Sequence, residues 1–237
     1  MNVVNQAWIW LNDPLNWTNS DGILALTWQH LWISAVAVAI GCMVAWPVGI
    51  WLGHLGRGSS VTVAVANLTR AVPTLALLSI FPLTFLGFGS WSAIIALAIF
   101  AVPPLLGNAV LGLREVDPSA RDAAYGMGLS SWQVLWQVEL PLSVPYLATG
   151  FRTAAVQVVA TATLAALVGG PGLGAIISQG FGLGLASGGG QVLAGGLLVV
   201  ALCLIVEGLL VFGERAVTPQ SLRPKRRPSR LRAAFAR

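Results

Sequence analysis

Few side chains in this sequence are equipped for chemistry. Its 237 residues hold two histidines, eight acids and thirteen bases. His30 and His54 stand at opposite ends of one apolar run, a poor arrangement for a metal site. No G-x-x-x-x-G-K-[ST] loop offers backbone amides to a nucleotide's phosphates, and no H-E-x-x-H occurs. No nucleophile stands in a recognisable relation to a base. The expectation is a chain with no catalytic residues, no metal and no cofactor of its own, and hence not an enzyme. What remains is recognition. Asp122-Ala123-Ala124, then Gly128, then Val138-x-Leu140-Pro141 form the one long polar, charge-bearing stretch between apolar blocks.

The elements that must carry those residues can be read locally. Asp117 suits an N-cap and Pro118 the first helical position. Ala123 and Ala124 keep one face of that helix small, and Gly126 and Gly128 break it. Ser130 and Gln133 make an S-x-x-Q capping box for a second short helix, which Pro141 is expected to terminate. Trp132 and Trp136, four apart, share a face that would anchor this helix to the bilayer surface or to the first helix. A membrane protein that builds a small-faced helix outside the bilayer is built to dock it into something.

The membrane class follows from composition. The chain is 56% hydrophobic and 9% charged, with mean hydropathy +0.80, where a soluble domain carries about 25% charge. A spanning helix needs ~20 apolar residues. Five segments qualify, near 29–53, 61–82, 91–113, 142–168 and 191–213. The fold class is therefore all-α membrane protein. Residues 1–56 contain no Lys or Arg, and the loops at 83–90 and 169–190 contain no charge. Arg57, Arg114 and Arg121 fall in the other loops, and eight of the thirteen bases lie between Arg215 and Arg237. The positive-inside rule then places the N-terminus outside and the C-terminus in the cytoplasm. The basic tail, about 219–237, reads as a retention signal and not a nucleic-acid site. Residues 1–28, rich in Trp and poor in charge, read as an amphipathic segment lying on the outer surface. Cys42 and Cys203 sit inside apolar runs, as packing residues do.

Polar residues inside the spans are the candidates for a pathway. Arg70, beside Asn67 and Thr69, must face protein, water or a pathway, because a buried unpaired Arg costs ~2.5 kcal/mol or more. It either lines the pathway or pairs across a subunit seam, or it snorkels to the interface. Gln157 and Thr161 share a helical face and either border a cavity or bond a neighbouring helix. Residues 169–196 contain twelve glycines. Gly169, Gly170, Gly172 and Gly174 form a turn after the fourth span, and Gly180 to Gly190 a flexible outer stretch. An outer gate, a docking surface and an ordinary loop all fit.

The coupling stretch carries a resemblance. Glu-Ala-Ala, three residues, Gly, nine residues and Ile-x-Leu-Pro is similar to the signature of permease subunits of ATP-binding-cassette importers, with Asp122 and Val138 in the Glu and Ile places. Asn67-Leu68-Thr69-Arg70-Ala71-Val72-Pro73, Arg114-Glu115-Val116-Asp117-Pro118, Gly126-Met127-Gly128 and Gly169-Gly170-Pro171-Gly172-Leu173-Gly174 resemble permeases for osmoprotectants such as glycine betaine, carnitine and choline, with methionine-importer permeases as relatives. The match spans roughly residues 28–218. It implies a type I ABC importer permease fold of about five transmembrane helices, with a coupling loop at about 114–141 and a cytoplasmic coupling helix. Asp122, Ala123, Ala124, Gly128, Leu140 and Pro141 would contact the ATPase. The implied partners are two ATPase subunits carrying ATP and Mg, a second permease, identical or paralogous, and an extracytoplasmic substrate-binding protein. The setting is a bacterial plasma membrane. A methionine or other amino-acid permease is the alternative. An autonomous channel or secondary transporter is the rival from another class, although no internal repeat is visible.

Overall fold

The structure, a computed structural model, describes residues 2–56, 60, 62, 64, 65 and 73–217. Every regular element among them is helical. Two short helices, α1 (Val3–Asn12) and α2 (Leu15–Thr18), precede the long α3 (Ile23–His54). Next come α4 (Thr74–Ile80) with a 3-10 turn at Phe81–Leu83, and α5 (Ser90–Arg114). The coupling segment forms α6 (Pro118–Gly126) and α7 (Ser131–Val134). A π turn, Leu135–Glu139, leads into α8 (Leu140–Ala162), which ends in a 3-10 stretch, Thr163–Val168. Finally α9 (Gly174–Gly182) turns into α10 (Leu185–Val217).

Four helical stretches among the described residues are long and apolar enough to cross a membrane: Leu15–His54, Ser90–Arg114, Ser131–Val168 and Leu185–Val217. They correspond to the first, third, fourth and fifth expected spans. Of the second, 61–82, α4 and its 3-10 turn form the later part, while Asn67 and Arg70 lie outside the described residues. The long helix α3 of the first span begins at Ile23, inside the stretch assigned to the outer segment. Pro47, Pro103, Pro104 and Pro145 all sit within helices, as prolines in spans do when neighbours satisfy the freed carbonyls.

α5 lies between α3 and α8. The α3 seam repeats every fourth residue as Gly41, Ala45, Gly49 and Gly53, and meets Ala101, Leu105, Ala109 and Leu113 of α5. A Cβ at Gly49 would stand 2.6 Å from that of Ala109, and one at Gly53 2.7 Å from that of Leu113. Without apolar driving force in lipid, such close backbone approach is what holds spans together. The main core, with Ile33, Leu97, Leu105 and Val158 at 0% exposure, fills the space among α3, α5 and α8.

One expectation is corrected here. Gly180 to Gly190, expected as a flexible outer stretch, is mostly helical: it forms the end of α9, a tight turn at Gly184 and the start of α10. Its glycines let α9 and α10 touch backbone to backbone. The N-terminal helix packs against the spans. α1 docks on α10, where the missing side chain of Gly190 admits Gln6 and Ala7 is buried. By contrast, α10 exposes Leu204, Leu209 and Phe212, and only 11% of its most apolar window is buried. That face is left uncovered by the other described residues.

Candidate functional site

Local rules build the coupling segment as expected, up to its end. The Asp117 carboxylate accepts from the Ser119 N–H at 2.9 Å and caps α6, with Pro118 at the first position. Hydrogen bonds from the Ser119 backbone and side chain hold this carboxyl below its usual value. Gly128 has φ +87°. Its N–H donates to the Tyr125 carbonyl at 2.9 Å and that of Leu129 to the Ala124 carbonyl at 3.2 Å, the paired bonds of a Schellman end. Gly126, by contrast, is the last helical residue and needs no special conformation. Ser130 and Gln133 form the reciprocal capping box of α7.

Pro141 does not terminate the second short helix. The chain stays helical from Ser131 to Val168. The π turn absorbs the conflict: Leu140 N–H donates five residues back, to the Leu135 carbonyl. That widened turn leaves room for the proline ring, which would collide with the carbonyl four residues earlier in an α-helix. Glu139, the last residue of that turn, is buried.

Glu139 is the feature that local sequence rules missed. It is 2% exposed. Its Oε1 lies 2.7 Å from Arg121 Nε of α6, a charge contact and not an aligned hydrogen bond. Its Oε2 accepts from Nδ1 of His54, the last residue of α3, at 2.5 Å. The other ring nitrogen, Nε2, is 2.8 Å from Ser131 Oγ. Arg121 also donates through its terminal Nη2 to the Leu113 carbonyl near the end of α5. One carboxylate thus gathers the end of α3, the middle of α6 and the start of α8. The only sequence signal was an acid in the variable place of Val138-x-Leu140-Pro141.

The other candidate residues fall as follows. Asp122, Ala123, Gly128 and Pro141 are exposed, Leu140 is half-buried, and Ala124 is 1% exposed and faces the body of the chain. The exposed residues of α6 include Asp122, Ala123 and Tyr125, with Met127 and Gly128 just beyond its end. Trp132 and Trp136 stack edge to face at 5.5 Å and line an apolar cleft with Met43, Pro47 and Trp51 of α3. Gln157 and Thr161 are half-buried on one face of α8, and the Thr161 hydroxyl donates to the Gln157 carbonyl at 2.7 Å. That hydroxyl proton is spent on its own helix. Arg152, inside the fourth span, has its Nη1 3.2 Å from Glu214 and 3.5 Å from Glu207, joining α8 to α10.

At the opposite end, the Gly169 to Gly174 turn packs on His30. This histidine is fully buried. Its Nε2–H donates to the Val159 carbonyl at 2.8 Å, and its Nδ1 accepts from the Leu173 N–H at 3.3 Å. Gly172 and Gly174 are buried, Gly170 half-buried and Gly169 exposed.

Comparison with known proteins agrees with this architecture. The profile described as "Binding-protein-dependent transport system inner membrane component" matches residues 38–219. The carnitine transport permease protein OpuCB of Listeria monocytogenes is 39% identical, over 88% of this chain and 94% of its own. The glycine betaine/carnitine/choline transport system permease protein OpuCB of Bacillus subtilis is 34% identical, over 86% and 93%. Among solved structures, a chain of the MetNI methionine ABC transporter in inward-facing conformations superposes with a TM-score of 0.73 at 24% identity, covering 88% of this chain and all of that one.

Proposed function

This chain belongs to the family of inner-membrane components of binding-protein-dependent transport systems, and from that premise we propose which cargo it passes and how it is driven. It is the permease subunit of an ABC importer. Its cargo is an osmoprotectant of the quaternary-amine class, such as glycine betaine, carnitine or choline. The observation that carries this reading is the identity of 34–39% to permeases named for those compounds, sustained over nearly the whole of both chains. The methionine transporter, at 24%, speaks for the fold alone. Quaternary ammonium groups are recognised by aromatic cages, which in such importers belong to the binding protein, so this chain need not contain one.

ATP and Mg act on two partner ATPase subunits. The exposed face of α6, with Asp122, Ala123 and Gly128, is the surface those subunits would grip. A second permease, identical or paralogous, completes the pathway around a two-fold axis; the uncovered apolar face of α10 is consistent with such a neighbour or with lipid. A substrate-binding protein delivers cargo at the outer end. ATP-driven closure of the ATPases moves the coupling helices and switches access between the two sides. Asn67 and Arg70 remain candidates for the pathway, as do Gln157 and Thr161, and the Gly169 to Gly174 turn a candidate outer gate.

The test is uptake by proteoliposomes containing this permease, its ATPase and its binding protein. Glycine betaine, carnitine or choline should accumulate only with ATP inside the compartment that holds the ATPase. Uptake of methionine in their place would support the amino-acid alternative, and uptake without ATPase would support a channel or secondary transporter.

The Lys/Arg asymmetry supports an outer N-terminus and a cytoplasmic tail. Alkaline phosphatase fused after Arg237 should be inactive and green fluorescent protein at the same place fluorescent. The reverse pattern would overturn the orientation and put α6 on the wrong side for ATP.

A further inference from the structure

Resting on the reading of the chain as an ABC permease, we propose that Glu139 is a positioning residue for coupling: through Arg121 and His54 it ties the coupling helix α6 to the end of α3, so that movement imposed on α6 is carried into the spans.

The case begins with how little else holds α6. Of its nine residues only Ala124 is buried. A single methyl group gives a non-directional contact that can slide. The polar link is of another kind. Glu139 Oε1 meets Arg121 Nε at 2.7 Å and Oε2 meets His54 Nδ1 at 2.5 Å, with the carboxylate 2% exposed. Both oxygens are therefore committed, one to α6 and one to α3. Each partner is itself held from behind: Arg121 by the Leu113 carbonyl of α5, His54 by Ser131 Oγ of α7. A displacement of α6 must then either drag the end of α3 or break charged contacts away from water, where they are costly to leave unmade.

The location adds to this. Glu139 ends the π turn and immediately precedes the start of α8. The α3 side of the link leads into the close α3–α5 seam, where Gly53 meets Leu113 and Gly49 meets Ala109. Helices packed that tightly shift as a unit. Buried ion networks are often replaceable by apolar groups without loss of stability, so a role in fixing geometry accounts for this one better than stability does.

The experiment uses the whole reconstituted importer, with glycine betaine as the probe and ATP hydrolysis and uptake measured on the same vesicles. Wild-type vesicles must first show ATP-dependent uptake; failure there would count against the functional reading and not against Glu139. Two variants follow. Glu139→Gln keeps the side chain's shape and removes its charge. His54→Phe keeps a ring of similar bulk but offers Glu139 no donor, which removes the α3 arm and leaves the Arg121 contact in place. Both are expected to assemble with the ATPase and to hydrolyse ATP near the basal wild-type rate. Uptake per ATP should fall about tenfold, within the range of ordinary coupling free energies. Glu139→Asp, which keeps the charge on a shorter arm, should recover part of that loss. Wild-type uptake per ATP in either Glu139→Gln or His54→Phe would overturn the proposal. So would loss of the assembled complex in both, which would make the cluster a folding element. If only one of the two fails to assemble, the other decides.

Discussion

Gly188→Leu is expected to leave almost no correctly folded permease. A Cβ at Gly188 would stand 2.0 Å from the Gly180 carbonyl oxygen and 2.8 Å from its carbon. Both are backbone atoms, so no side chain can rotate out of the way. The helices α9 and α10 would have to separate, and α1 would be disturbed as well, because it rests on Gly190 two residues further along. Overpacking usually costs about 1–3 kcal/mol, and a clash between two backbones belongs at or above the top of that range. The measurement is size-exclusion chromatography of detergent-solubilised chain, with a thermal melt of whatever elutes as a single species. A monodisperse peak with an unchanged melt would show that the α9–α10 seam is not packed as described. Gly182→Leu is the internal control. It is the last residue of α9, the helix that carries Gly180, with nothing within 4 Å of its Cβ, and should behave like wild type.

Gly128→Trp should act in the opposite way, abolishing transport from a chain that still inserts and folds. At φ +87° any side chain strains the backbone, by roughly 1–2 kcal/mol for a left-handed residue. Beyond that, the chain has room: no atom lies within 4 Å of the added Cβ. The indole would project from the end of α6 beside Asp122 and Ala123, on the face proposed to enter the ATPase. Uptake is expected to fall at least about tenfold, which corresponds to ~1.4 kcal/mol of lost docking, with membrane levels preserved. Gly128→Asn separates the two causes. Asn tolerates the left-handed region and adds little bulk, so it should retain most of the uptake. Normal uptake and normal ATPase co-purification by Gly128→Trp would mean that no partner approaches this surface closely.

The two glycines illustrate different kinds of legibility. Gly128 could be read from its neighbours: a helix opened by Asp117 and Pro118 must end before the box of Ser130 and Gln133 begins, and a glycine between them is the natural stop. The same holds for the long spans, because lipid demands about twenty apolar residues whatever surrounds them, and for the family, because the spacing from Asp122 to Pro141 is intact. Gly188 could not be read that way. In sequence it belonged to a run of glycines that suggested flexibility, and only the neighbouring backbone of Gly180 shows that it is there to let two helices meet.

Burial and pairing belonged wholly to the tertiary structure. Ala123 and Ala124 look alike in sequence, yet the body of the protein lies against Ala124 alone. Pro141 has the residue type of a helix stop, but continuing the helix into α8 recovers more than the one hydrogen bond the ring forbids, and a π turn removes the clash. Glu139 and His54 are 85 positions apart. Local propensities act over a few residues, whereas the energy of a buried carboxylate depends on which cations the fold brings within reach. Sequence alone thus determined the class of the protein, its helices and the place of its coupling segment. The tertiary structure decided which of those residues stay exposed and which hold the segment to the membrane-spanning body.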